Sequence, residues 1–327
     1  MRRTILCTLL LAGTALAASD AIYLVLLKGG SALAYYTPEG KLLTSIPVGQ
    51  HPHEMVFSRD GRYLYTADNG TMRIEHVGKG GNSLSIIDVK SRKKLGDISL
   101  GQFHRPHGID IDPATGRLAV TTELPDQLLI IDPQQRKVVR TYETKGKTSH
   151  MVTLGPGAKY AYVSNSTSGN VSIVNLQTGE VKLVPTGNRP EGSGLSKDGR
   201  EVFVCNREGE SISVIDTKKN EVVGTIKTGK GPVRLAFTPD GKTLVYALMH
   251  DKKVAFADPV SRKQIALVDL PNTPVSLNIS QDGKYAFASA EDQDTVYVVS
   301  IADKKIVRQV KTEKGTGPDP VHDIAGN

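Results

Sequence analysis

The residues best suited to chemistry in this 327-residue chain are histidines, because four of the eight recur at one spacing. His53, His107 and His150 lie eight or nine residues upstream of a recurring turn, and the same position carries Glu191, Val233 and Val275 further along. His322 joins them when His322-Asp323-Ile324-Ala325 is matched to His107-Gly108-Ile109. A position that accepts valine does not need histidine for folding. Neutral imidazole is the commonest protein ligand for transition metals. Three such ligands around an open position would activate water or polarise a carbonyl, whereas four would close a structural or redox shell. The expected cofactor is therefore a divalent transition metal held by His53, His107, His150 and His322. Glu191 and Glu54 would move the proton. Arg105 and Arg189 each stand two residues before a position in the series and would hold an acidic group. Asn165 and Asn206 would add polar contacts to a substrate, and Val233 and Val275 an apolar wall.

That constellation implies lactone hydrolysis or a lyase reaction on a small polar molecule. Four readings stay open beside it: a water-filled channel, a metal-free acid/base pocket, a non-catalytic binding, scaffold or metal-handling module, and a redox partner subunit.

The elements that must position these residues are short strands. The turn signal recurs at Gly61, Gly116, Ala158, Gly199, Gly241 and Gly283, at intervals of 55, 42, 41, 42 and 42 residues. Each turn precedes a β-rich run such as Glu201-Val202-Phe203-Val204, then a polar loop and an alternating run such as Ser211 to Asp216. A fourth run closes the unit. Four short strands per repeat predict an all-β, seven-bladed β-propeller of four-stranded antiparallel blades. The chain starts on the second strand of a unit, Ile22 to Leu27. The missing first strand is expected in Val321 to Ala325, so the C-terminal strand would join the N-terminal blade and leave no open edge. One blade carries an insertion, Asn69 to Gly81, expected to be a mobile lid over the histidine-bearing mouth.

Tyr162-Val163-Ser164-Asn165 followed by Val171-Ser172-Ile173-Val174-Asn175 resembles the YVTN repeat. So does Phe203-Val204-Cys205-Asn206 followed by Ser211-Ile212-Ser213-Val214-Ile215-Asp216. The resemblance covers nearly all of the chain after its leader. It implies a seven-bladed propeller similar to bacterial periplasmic and surface propellers and to lactonase-like proteins. The fold hosts enzymes, cofactor binders and scaffolds alike.

Composition fits this picture. Hydrophobic residues make up 39% and charged residues 23%, a globular balance. The net charge of +7 is spread over turn lysines without a basic run, which argues against nucleic acid as a partner. Met1-Arg2-Arg3, an apolar stretch and Ala15-Leu16-Ala17 read as a cleavable signal peptide over 1–18, leaving a propeller over 19–327. No other stretch is long enough to span a bilayer. The expected setting is periplasmic or secreted, the protein a monomer, and the partner a small-molecule ligand or a periplasmic protein. Cys205 is the one cysteine left after the leader, so no intrachain disulfide is expected. It sits in a strand and reads as packing rather than as a nucleophile.

Overall fold

The computed structural model describes residues 21–325. The expected signal peptide over 1–18 lies outside the described residues. The recurring turn has a chemical basis visible in four copies. Ser58, Ser196, Thr238 and Ser280 each donate a hydroxyl hydrogen bond, 2.6–2.7 Å long, to an aspartate two residues on. A glycine follows at φ of 69, 73, 76 and 72° in Gly61, Gly199, Gly241 and Gly283. A side chain would be strained in that left-handed backbone, which is why the sequence signal is Asp-Gly.

These turns join strands into seven sheets of four strands each. Blade 1 combines Pro318–Ala325 with Ala21–Leu27, Ala32–Tyr36 and Leu42–Pro47. The first strands of blades 2 to 7 are Pro52–Phe57, His104–Ile111, Ser149–Leu154, Pro190–Leu195, Pro232–Phe237 and Ser276–Ile279. Each first strand packs against the first strands of its two neighbours, so these seven ring the axis. The C-terminal strand closes the ring by antiparallel pairing of Leu24 with His322 and Val25 with Val321. This is the expected composite blade.

Burial follows position in the blade. The second and third strands lie between neighbouring sheets and are buried on both faces, as in Tyr160–Asn165 and Asn170–Asn175. Their buried positions therefore carry apolar or small residues on both faces, as in Ala161-Tyr162-Val163 and Ser172-Ile173-Val174. The outer strands face water and alternate, as in Lys305–Lys311. The core is correspondingly divided into seven inter-blade clusters. In one, Ala67, Leu84 and Ile86 of blade 2 meet Ile109 and Val120 of blade 3. Tyr162, Tyr246, Tyr297, Phe203, Phe256 and Phe287 are almost fully buried and take the bulk that tryptophan would otherwise supply. Cys205 is a free thiol within this core. Among the described residues no helix is long and apolar enough to cross a membrane.

Candidate functional site

One short device places most of the residues at the axial mouth. It comprises His51-Pro52-His53, Arg105-Pro106-His107, Thr148-Ser149-His150, Arg189-Pro190-Glu191, Gly231-Pro232-Val233 and Gly317-Pro318-Asp319. The first residue of each has φ of 42, 57, 57, 60, 74 or 54° in turn. This left-handed step disfavours a side chain by roughly 1–2 kcal/mol, and ladder pairing holds it. Pro52 pairs with Asp68, Pro190 with Asn206 and Pro232 with Leu248.

The register corrects one expectation. Pro318 pairs with Leu27 as Pro232 pairs with Leu248. Asp319, not His322, therefore occupies the mouth position of blade 1. His322 lies three residues, or about 10 Å, further along the strand. There it meets Phe57, with ring centroids 5.5 Å apart, and desolvation lowers its pKa to about 4. Matching on His-Asp-Ile-Ala took the wrong frame because the proline marks the register and the histidine does not.

The other three histidines come together. His53 Nδ1 lies 3.2 Å from His107 Nε2, and the His107 and His150 rings stack at 3.7 Å with a 40° tilt. All three are buried. The row is anchored at two points. His107 Nδ1 is 2.7 Å from Glu123 Oε1, and His53 Nε2 is 2.7 Å from the carbonyl of Thr71. Burial, helped by the nearby Lys28 charge, drives the His53 pKa well down, so its ring is neutral with one N–H. A carbonyl only accepts, so that proton sits on Nε2. His53 Nδ1 then accepts from His107 Nε2–H, and the other nitrogen of His107 is engaged by Glu123. No nitrogen of His53 or His107 remains free. His150 is different: burial keeps it neutral too, and its Nδ1 is buried without a partner. Although the three rings touch, no group of three His, Cys, Asp or Glu among the described residues is arranged to hold a metal ion by itself. The expected four-histidine shell is not assembled.

The rest of the mouth is ionic. Glu191 is 2% exposed and receives Arg189 Nε at 3.2 Å and Arg207 Nη1 at 3.1 Å, with Arg234 Nη1 at 3.9 Å. Arg234 also donates to Glu54 Oε1 from Nε at 3.1 Å and Nη2 at 2.9 Å. Across the axis, Lys28 Nζ sits 3.1 Å from Glu291 and 2.9 Å from Asp319. Burial alone would lower the Lys28 pKa, but Asp319 and Glu291 outweigh it and keep the ammonium charged. Asp319 Oδ1 stays buried without a partner. Removing one member of such a buried pair strands the other and costs about 3–5 kcal/mol. Glu54 and Glu191, the expected proton carriers, are thus both held by guanidinium groups.

The remaining expected contacts divide. Arg189 reaches the mouth. Arg105 faces Glu123 at 3.3 Å, and its Nη2 donates to the carbonyls of Ile74 and His76 at 3.1 and 2.9 Å, so it clamps the insertion. Asn165 and Asn206 point into their own blades. Asn165 Nδ2 donates to Ser172 at 2.7 Å and Asn206 Nδ2 to Ser213 at 2.9 Å. Asp68 fills the equivalent place in blade 2, accepting from Ser85 at 2.8 Å. These three pin each second strand to its third and leave no amide for a substrate.

The insertion covers the mouth as expected. Thr71 meets His53, Met72 and Ile74 face the cavity, and Glu75 and Arg73 reach across to Arg189 and Asp292 at 2.7 and 3.0 Å. The cavity beneath measures about 200 Å³ and is lined by His150, Arg207, Val233, Val275 and Met249 among others. Arg234 and Lys28 escape a reading by repeat position. Arg234 follows a mouth residue by one, and its partner Glu54 is 180 residues away in sequence.

Residues 113–324 match the family described as a domain of unknown function, DUF5074, and the chain belongs to that family. It is 24% identical over 230 residues to the uncharacterized protein YncE of Salmonella typhimurium, covering 65% of this chain and 64% of the relative. Protein NirF of Pseudomonas aeruginosa is 26% identical over 217 residues, covering 62% of this chain and 55% of NirF. The matched region thus spans less than two thirds of either relative's length. Among solved structures, a functionally unknown protein from Desulfotomaculum acetoxidans DSM 771 superposes with a TM-score of 0.78 at 16% identity, over 94% of this chain and 99% of that one. The dihydro-heme d1 dehydrogenase NirN in complex with DHE gives 0.66 at 15% identity, over 94% and 75%. These structural likenesses show the fold.

Proposed function

We propose that this chain is a periplasmic binding propeller whose lidded mouth takes up an anionic, metal-bearing tetrapyrrole of the haem d1 kind, with His150 as the protein's ligand to the metal. The observation that carries this reading is His150 itself: a neutral, buried imidazole on the cavity wall with no hydrogen-bond partner at Nδ1. A macrocycle brings its own four nitrogen donors, so the protein needs to add only one imidazole. That requirement fits a mouth with an uncommitted imidazole at His150 and, among the described residues, no ready-made three-ligand set. When bound, the group would supply redox or Lewis-acid chemistry.

The chain's own residues would do the rest. Arg189, Arg207 and Arg234 form the rim suited to carboxylates. Val233, Val275 and Met249, with Met72 and Ile74 of the lid, offer apolar surface to a flat ring. The His53–His107–Glu123 row stands beside the site and braces the lid against it. The likeness in fold to NirN, a dihydro-heme d1 dehydrogenase, adds support. A periplasmic setting draws on the leader reading of residues 1–18, and the YVTN-like units agree with a bacterial exported propeller. Hydrolysis or lyase chemistry on a small molecule is the less supported alternative, because Glu54 and Glu191 are both engaged by arginines.

Absorbance titration with iron protoporphyrin IX tests the proposal. The wild type should bind one equivalent with a shifted Soret band, and His150→Ala should weaken binding at least tenfold with an unchanged circular dichroism spectrum. Equal binding by both proteins would refute it.

A further inference from the structure

The cavity under the lid, about 200 Å³, is smaller than the roughly 300–1,000 Å³ of typical ligand sites. A ligand of the proposed size therefore enters only if the lid moves. The lid's base and its tip are held differently. Asn69 Nδ2 donates to the buried carbonyl of Pro106 at 3.2 Å, and Gly81 pairs with both Asn69 and Arg105 through the backbone. Thr71 meets buried His53. These contacts fix the base. Arg105 holds the carbonyls of Ile74 and His76 from the near side, and the tip reaches the far rim through two charge pairs whose members are partly open to water, Arg73–Asp292 and Glu75–Arg189. Such pairs contribute only about 0–1 kcal/mol and exchange readily for another ion of the same sign.

Arg189 is the informative end. Its Nε is committed to Glu191 at 3.2 Å, while its Nη2 faces outward and is taken by Glu75 Oε1 at 2.7 Å. Neighbouring Arg207 is also turned to Glu191, at 3.1 Å. Glu75 is the only carboxylate the insertion carries, and it spans the mouth to reach this guanidinium. Its pKa lies below the usual carboxylate range, chiefly through the Arg189 hydrogen bond, so it is ionised at neutral pH.

We infer that Arg189 is the carboxylate seat of the pocket and that Glu75 is its resident stand-in, displaced when an acidic group of the ligand takes the same Nη2. The inference rests on the proposed anionic ligand but concerns the carboxylate alone. It makes lid closure over the empty mouth and carboxylate binding compete for one guanidinium, and it makes Arg189 the residue that selects acidic ligands over their neutral analogues.

Calorimetric titration with succinate, which contains no metal or macrocycle, tests it in the full mature chain. Glu75→Gln removes the competitor and should bind succinate about three- to tenfold more tightly than wild type. Arg189→Met should lose binding, and hydrogen exchange of residues 71–81 should accelerate in wild type on adding succinate. Arg189→Lys, which keeps the charge, controls for folding and should bind more weakly than wild type without losing the site. Equal succinate affinity in wild type and Glu75→Gln, or binding retained in Arg189→Met, would overturn the inference. Either result leaves the His150 titration free to succeed, and failure of that titration leaves the succinate result standing.

Discussion

At the scale of single residues, the mouth separates two uses of histidine that look alike in sequence. His53 and His107 are committed to hydrogen bonds with the lid and with Glu123, and His150 is left with a free nitrogen. The same position of the repeat supplied all three, so its periodicity was legible. Which nitrogen stays free was not, because that depends on a carbonyl in an insertion and a carboxylate on another strand. A second residue-scale contrast gives a stability prediction. Asp68 stands where blades 4 and 5 have Asn165 and Asn206, and burial pushes its pKa up to about 6. An acid whose folded pKa exceeds its unfolded value gives most stability below the unfolded pKa near 4 and loses it as pH rises through about 6. Asp68→Asn should therefore be neutral at pH 4 and stabilising by up to about 2–3 kcal/mol at pH 7.5. The amide can donate to Ser85 as Asn165 does to Ser172. Urea unfolding at the two pH values checks this, and an equal effect at both would contradict it.

At the scale of elements, the strand that closes the ring carries both structure and site. Pro318–Ala325 pairs along Ala21–Leu27, and Val321 joins a core cluster with Tyr23, Val25 and Phe287. It also delivers Asp319 to Lys28. Deleting everything after Thr316 should expose the edge of Ala21–Leu27, leave Lys28 with Glu291 but without Asp319, and lower the melting temperature by at least 10 °C with aggregation on heating. Scanning calorimetry of the truncated chain checks this, and an unchanged transition would contradict it. The sequence revealed that this strand exists, through the split repeat and the Asp-Gly turns that count the blades. It did not reveal the strand's frame. Proline sets the frame, and the stretch holds two of them, Pro318 and Pro320. The lid was legible as an excess of residues between strands. Its clamp was not, since Arg105 reads from sequence as a rim arginine and acts on the carbonyls of Ile74 and His76.

At the scale of the molecule, seven similar blades make a rigid frame around an asymmetric mouth. Blades 2 to 4 present imidazoles, and blades 5, 6, 7 and 1 present charge or apolar surface. The frame needs neither, since the repeat position tolerates valine, and the proposed ligand accounts for the asymmetry. The central claim is that His150 completes the coordination of a metal carried by an anionic macrocycle. It is tested most directly by imidazole rescue of His150→Gly. With iron protoporphyrin IX bound, His150→Gly should lack the wild-type Soret band, and added imidazole should restore it by filling the vacated space. A His150→Gly complex with the wild-type spectrum before imidazole is added, or one that imidazole leaves unchanged, would contradict the account.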